Sequence, residues 1–411
     1  MEALVVQAVV IVLAALVVAL VARYLSLPYT VGLMVAGLIA ALLHVQGFVP
    51  VTRDVIFDLI LPPLLFEAAL AMHGSALRKD LVPILAFSIV GVAVAAFVVT
   101  AGMAVILHWD PMAALLFGVL IAATDPVAVL AMFKDAGVGG RLRTLVEAES
   151  LFNDGVAAAL FVTVLAWTEA GASGFADGLR SGAVAISLTV GGGIIAGSIV
   201  GAAALAVWAF SDDALIETAL TLVVAYGAFL LAEHFHVSGV LATVVAGLVL
   251  GNVGVRGERP FLSARARKFV LEFWEFAAFI ANSFVFLMIG VTVGSVPFSR
   301  LGIGTIVITI GVVLASRVAS VYPIALAFFW TTRRISVAEQ HVLVWAGLRG
   351  ALGLALALSL PAALPYRDEI QVATFAVAAF SIGVQGLTMP ILLRFLGISA
   401  GRSSGDKRRT P

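Results

Sequence analysis

The sequence predicts an all-α membrane protein with about 13 transmembrane helices, and three observations predict it. Hydrophobic residues make up 62% of the chain and charged residues 12%, giving a mean hydropathy of +1.14, far above that of soluble domains. The charged residues gather in short gaps between apolar runs of about 20 residues, the length that crosses roughly 30 Å of hydrocarbon. The basic residues in those gaps fall almost entirely on alternate gaps, as the positive-inside rule requires. A net charge of zero says nothing about partners, because the distribution of charge matters more than its sum; no nucleic-acid partner is expected, and the absence of cysteine excludes disulfide frameworks and thiolate metal sites.

Taken in order, span 1 (3–22) follows Glu2, has no basic leader and shows no small-residue cleavage site before Arg23. It therefore reads as a retained span rather than a removed signal peptide. Span 2 (28–45) carries Val35-Ala36-Gly37-Leu38-Ile39. Span 3 (53–72) contains Leu61-Pro62-Pro63-Leu64-Leu65-Phe66 followed by Glu67, a residue that fits either a lateral or cytoplasmic funnel or simple packing. Span 4 (81–107) is a plain apolar run. Span 5 (112–133) is interrupted by Thr124-Asp125-Pro126, where proline removes a backbone donor and clashes with the preceding turn. Span 6 (144–168) holds Glu149-Ser150-Leu151-Phe152-Asn153-Asp154-Gly155.

Span 7 (181–209) has Gly191-Gly192-Gly193 and Gly197, which read as close helix packing rather than phosphate binding. Span 8 (214–235) ends beside His234 and His236, too few ligands for a metal. Span 9 (238–252) repeats the earlier string as Val245-Ala246-Gly247-Leu248-Val249. Span 10 (267–293) brings Glu272 and Glu275 to an interface, where solvation is the simpler reading. Span 11 (301–329) contains Arg317 in otherwise apolar surroundings. Span 12 (336–360) is weakened by Gly347-Leu348-Arg349-Gly350 and Gly353, and span 13 (369–396) closes the series.

With the amino terminus outside, eighteen basic residues lie in inside segments, four (Arg53, Arg180, Arg300, Arg367) lie outside, and Arg317 and Arg349 fall within spans. The carboxyl terminus is then cytoplasmic and the protein a multi-pass protein of the cell (inner) membrane; only Asp212-Asp213 dissents from the charge rule. The repeated string recurs after seven spans, and an odd offset inverts orientation. Spans 1–6 then match spans 8–13 as two inverted six-helix repeats with span 7 as linker, which pairs the two interrupted spans, 5 and 12. Broken helices at matching positions, crossing at mid-membrane, mark a binding site in secondary transporters.

The chemistry centres on span 6. An ionised carboxylate at the bilayer centre costs about 2.5–3.5 kcal/mol on insertion scales, so such residues face a water-filled path or an ion. On a helix Glu149, Asn153 and Asp154 project to one side, and Ser150 lies one turn before Asp154. Oxygen ligands of this kind suit a proton or a hard monovalent cation. Asp125 in span 5 adds a second acid, either as a cap on the broken helix or on the ion path. Glu149 needs a positive partner, and Arg317 is the candidate. Arg349 reads as satisfying free carbonyls at the break in its own span. Gly171-Ala172-Ser173-Gly174 matches a short string of intramembrane serine proteases, but it lies in an outside loop without a histidine at membrane depth.

Three segments carry a family resemblance: Ala123-Thr124-Asp125-Pro126-Val127-Ala128-Val129, the span 6 motif, and Gly347-Leu348-Arg349-Gly350-Ala351. Together with Leu61 to Ala68 they resemble the monovalent cation/proton antiporters, most closely the electroneutral sodium–proton exchangers of prokaryotic type, over nearly the whole chain. The resemblance implies a homodimer in membrane lipid. Its scaffold would be residues 1–75 and 213–296, its moving core residues 76–170 and 297–398, with a linker helix in 171–212 and a short cytoplasmic tail in 399–411. It further implies that Asp154, Asp125, Ser150 and the Thr124 backbone coordinate sodium, that Asn153 stabilises the site, and that Glu149 pairs with Arg317. Electrogenic relatives carry two adjacent aspartates where this chain has Asn153-Asp154, which implies one-for-one exchange. No cofactor beyond the transported Na+ (or Li+) and H+ is expected, no enzymatic activity, and no soluble regulatory domain in so short a tail. A K+/H+ antiporter would use the same ligands, and a cation channel is disfavoured by the pair of broken helices.

Overall fold

The computed structural model describes residues 2–25, 28–44, 53–169, 175–210, 213–257, 262–295, 298 and 301–398. The expected tail in 399–411 and the Gly171–Gly174 string lie outside the described residues. All regular structure among the described residues is helical: α1 (Glu2–Leu25), α2 (Tyr29–Leu42), α3 (Leu61–Ala71), α4 (Gly74–Leu85), α5 (Val92–Ile106), α6 (Pro111–Leu120), α7 (Val127–Asp135), α8 (Gly140–Glu169) and α9 (Phe175–Trp208). The series continues with α10 (Ala214–His234), α11 (Gly239–Val249), α12 (Ala264–Ser295), α13 (Ile303–Ala327), α14 (Val337–Trp345), α15 (Ala351–Leu358), α16 (Arg367–Phe380) and α17 (Gly386–Phe395). Each apolar run of the sequence coincides with one of these helices or with a consecutive set of them. Among the described residues, seven continuous helical stretches, two of them built from consecutive helices (Gly74–Ile106 and Arg367–Phe395), are long and apolar enough to cross a membrane. The chain is a multi-pass membrane protein.

Local chemistry sets the ends. Asp110 caps α6, accepting from the amides of Met112 (2.9 Å) and Ala113 (3.1 Å), with Pro111 at the first helical position where its missing donor costs nothing. Ser336 and Glu339 form a reciprocal capping box on α14. Among the described residues, four short π-helical stretches are not legible in the apolar runs: Val55–Ile60, Ala86–Gly91, Leu250–Val255 and Ser381–Gln385. The fourth span also begins earlier than its apolar run, because α4 continues through the charged residues Arg78, Lys79 and Asp80. Pro83 disturbs this segment: Asp80 leaves helical geometry at φ −110, ψ 17, and the Lys79 carbonyl accepts from Arg333 Nε at 3.2 Å. Buried Asp80 accepts from Arg141 Nε (2.9 Å), while Nη1 and Nη2 of the same guanidinium donate to the carbonyls of Arg334 and Arg333, so one guanidinium ties α4, α8 and the α13–α14 turn together.

Packing repeats the inverted symmetry. A Cβ on Gly37 of α2 would lie 2.0 Å from the Leu287 carbonyl of α12, so those backbones touch. Its counterpart Gly247 of α11 packs against α3, where a Cβ would meet Ala69 Cβ at 2.8 Å and the Phe66 carbonyl at 3.1 Å. Span 2 thus packs on span 10 as span 9 packs on span 3, which is what a seven-span offset demands. The expected packing role of the span 7 glycines holds for three of four. Gly192, Gly193 and Gly197 abut the segment from Val237 to Ala242, and Gly191 meets nothing within 4 Å. A buried cluster around Trp208 and Trp274 joins α3 to α9–α12, with the Trp274 indole donating to Thr221 at 2.8 Å. The larger cluster surrounds α4–α8 and α13–α17.

Candidate cation site

Two spans break and restart partway along their length: α6 gives way to α7 across Ile121–Pro126, and α14 to α15 across Ala346–Gly350. The two extended segments cross, and the Asp125 amide donates to the Leu348 carbonyl at 2.8 Å. Contact is this close because residue 350 is glycine; a Cβ there would fall 2.0 Å from Asp125 Oδ2. Each break leaves unpaired carbonyls at one half-helix and unpaired amides at the next, which must be satisfied inside the protein.

The amides are satisfied by Asp125. Its carboxylate accepts from Val127 N (2.9 Å) at the start of α7 and from Ala351 N at the start of α15. Two positive helix ends therefore converge on one acid. The carbonyls are satisfied by Arg349, but not those of its own span. Fully buried, it donates from Nη1 to the carbonyls of Ala122 (2.9 Å) and Ala123 (3.1 Å), at the end of α6. The expectation that Arg349 serves the break in span 12 is corrected by the crossing, which places the other break within reach.

Helix α8 runs beside the crossing and contributes the span 6 residues. Asn153, 1% exposed, donates from Nδ2 to Thr124 Oγ1 (2.6 Å) and accepts from Thr124 N (3.3 Å). The Ser150 hydroxyl donates to the Thr124 carbonyl, and Thr124 Oγ1 lies 3.4 Å from Ser150 Oγ. Glu149 forms the buried pair with Arg317: Nη1 to Oε1 is 2.9 Å, Nη2 to Oε2 is 3.5 Å, and Nη2 also reaches the Leu343 carbonyl at 2.8 Å.

Asp154 differs from the other two acids. Its Oδ1 is buried and makes no hydrogen bond. The side chain borders a cavity of about 60 Å³ whose polar wall is Thr124, Asp125, Glu147, Ser150 and Asp154, and whose apolar wall is Leu61, Leu64, Leu65 and Ala68 of α3. That volume admits a small cation with a few waters, since one water needs roughly 10–15 Å³ by this measure.

Other expected residues lie apart from this centre. Half-buried Glu67 of α3 sits in the electrostatic neighbourhood of Glu147, Glu275 and Arg143 rather than among the residues bordering the cavity. Glu272 and Glu275 form exposed pairs with Lys268 (3.6 Å) and Lys134 (3.9 Å). His236 borders a separate cavity of about 370 Å³ with Arg53 and Glu233, and among the described residues no group of three metal-ligating side chains occurs. Two contributors escaped sequence reading. Glu147 borders the site cavity, and its position within span 6, two residues before Glu149, was the available signal. Buried Ser88 of span 4 donates to the Glu149 carbonyl at 3.0 Å, and a lone serine in an apolar run gives no signal at all.

Comparison with known proteins agrees with this architecture. The profile of the sodium/hydrogen exchanger transmembrane family matches residues 11–395. The Na+/H+ antiporter ApNhaP of Aphanothece halophytica is 38% identical over 387 residues, covering 94% of this chain and 72% of that protein. NhaP of Pseudomonas aeruginosa, also named a Na+/H+ antiporter, is 35% identical over 398 residues, covering 90% of this chain and 92% of that one. The solved structure of the sodium proton antiporter MjNhaP1 from Methanocaldococcus jannaschii superposes with a TM-score of 0.76 over 97% of this chain and 99% of that one. At 21% identity that likeness speaks for the fold alone. The chain belongs to the sodium/hydrogen exchanger family.

Proposed function

We propose that this transporter exchanges one Na+, or one Li+, for one H+ across the cell membrane, with both ions competing for Asp154. One observation carries the reading. Of the three carboxylates beside the crossing, buried Glu149 is neutralised by Arg317 and half-buried Asp125 is held by two helix amino termini, whereas half-buried Asp154 borders the cavity with its buried Oδ1 unpartnered. A charge left uncompensated in low dielectric is costly, so the carboxylate takes a proton or a cation before it crosses the apolar barrier. Asp125, Ser150 and the Thr124 carbonyl are the further ligands, and Asn153 holds Thr124 in place. One titratable site that alternates between one cation and one proton makes the exchange electroneutral. The names of the relatives support sodium as the cation.

The same reading assigns all thirteen apolar runs to membrane crossings, with the amino terminus outside and the carboxyl terminus cytoplasmic. The core (76–170 and 297–398) moves against the scaffold (1–75 and 213–296), with 171–212 as linker, in a homodimer. Glu67 and Glu147 line the cytoplasmic approach.

The test is reconstitution in liposomes with an internal pH-sensitive dye, pulses of Na+, Li+ or K+, and the membrane potential clamped at several values. Sodium-driven proton movement indifferent to voltage is the expected result. Voltage-dependent rates would overturn one-for-one exchange, and a larger response to K+ would reassign the substrate.

A further inference from the structure

The connection from α3 to α4 consists of only Met72 and His73, and it joins the proposed scaffold to the proposed core. Two residues span at most about 7 Å, so the link cannot stretch and the core must pivot about it. Its polar groups are held by a third element. A helix start has unpaired amides, and the His73 side chain provides no cap for α4. The Gly74 amide instead donates to Asn252 Oδ1 at 2.5 Å, across 178 residues. The Asn252 side chain in turn donates from Nδ2 to the Met72 carbonyl (3.2 Å), at the end of α3, and to the Leu248 carbonyl (2.9 Å) of α11. Arg256 completes the end of α3, donating from Nη1 to the Leu70 carbonyl at 2.6 Å and to the Gly251 carbonyl at 3.2 Å. Asn252 thus grips both sides of the link while anchored on the scaffold, in the π-helical stretch Leu250–Val255.

We infer that Asn252 is the pin of the scaffold–core hinge, a positioning residue that fixes where the core pivots and so sets the rate of exchange without touching the cation. This rests on the scaffold–core division proposed above. Asn252 and Asp154 share no ligand, so loss of the pin slows turnover and leaves cation affinity intact. The structure supplies a second way to draw it. A Cβ on Gly74 would lie 2.9 Å from Asn252 Oδ1 and 3.0 Å from its Cγ, so Gly74→Ala pushes the side chain off the link.

The experiment compares the full-length wild type, Asn252→Ala, Gly74→Ala and the double variant. Two readouts are taken: sodium-driven proton movement in liposomes, and hydrogen–deuterium exchange of the peptide holding Gly74. In each single variant the maximal rate is expected to fall about tenfold while half-saturating Na+ stays within about twofold. The Gly74 amide, deprived of its acceptor, is expected to exchange about tenfold faster or more, with α2 and α12 unchanged. The double variant is expected to be no slower than either single one, since both remove the same contact. Multiplying losses in the double variant, a raised half-saturation constant, unaltered Gly74 exchange, or fast Gly74 exchange with wild-type turnover would each overturn the pin. Failure of the exchange reading is distinct, because the wild type itself would then move no protons.

Discussion

Helices α2 and α12 and the crossing of the broken helices reach the same intimacy by opposite means. In the first region glycine brings continuous backbones together: Gly37 lies against the Leu287 carbonyl, Gly290 against the Met34 carbonyl, and Gly294 against Ala41. Its polar content is small and self-contained, with the Tyr29 hydroxyl 2.5 Å from Ser283 Oγ and the Tyr29 ring stacked on Phe279 at 5.4 Å. In the second region glycine brings broken backbones together, and the freed amides and carbonyls recruit Asp125 and Arg349. One arrangement makes a rigid wall. The other concentrates charge where the membrane would otherwise forbid it.

The largest effects should separate the two regions by how they fail. Gly37→Val would drive a side chain into the α12 backbone, which cannot yield, so folded protein should be lost from detergent extracts judged by size-exclusion chromatography. Asp154→Asn should do the reverse. The folded protein should keep its melting temperature within about 3 °C, while sodium-driven proton movement falls at least about a hundredfold, to background. A folded, active Gly37→Val would refute the rigid wall, and an active Asp154→Asn would refute the site.

Next comes the ion pair beside the crossing. Arg317→Gln strands Glu149 as a buried charge and should cost about 3–5 kcal/mol, seen as a lower thermal midpoint in the same detergent. Removing both charges with Glu149→Gln and Arg317→Gln should recover most of that loss. Full recovery of stability with loss of transport would show that the pair serves motion; no recovery would show that Arg317 acts mainly through the Leu343 carbonyl. Arg349→Lys should cost less, about 1–2 kcal/mol, because an ammonium still reaches one of the two carbonyls at the end of α6.

The legibility of the two regions differs for physical reasons. Apolar runs and the Val-Ala-Gly-Leu repeat reveal a multi-pass helical chain and its inverted pairing, because the bilayer constrains composition directly. Proline beside Asp125 and glycine around Arg349 reveal the breaks, since both residues weaken helices wherever they stand. What stayed hidden depends on which break faces which partner. The expected crossing of spans 5 and 12 does not say which break Arg349 reaches, and Ser88 is hidden because its acceptor is a backbone carbonyl sixty-one residues away. The π-helical stretch that positions Asn252 is likewise a register change inside an apolar run, with no compositional trace.

The smallest effect tests whether the crossing binds the cation or merely holds its own shape. Ser150 donates to the Thr124 carbonyl and lies 3.4 Å from Thr124 Oγ1, while Asn153 separately holds the Thr124 amide and hydroxyl. Ser150→Ala therefore leaves Thr124 anchored through Asn153 and removes one hydroxyl oxygen from the cavity wall. If that oxygen is a ligand, half-saturating Na+ should rise about threefold to tenfold, a loss of about 0.7–1.4 kcal/mol, with maximal rate unchanged. If Ser150 is only a tether, the maximal rate should fall and half-saturation stay fixed. Asn153→Ala should show the second pattern in either case, because its side chain contacts Thr124 rather than the cavity. Rising half-saturation in Ser150→Ala beside falling turnover in Asn153→Ala would divide one hydrogen-bond network into its binding and its supporting halves.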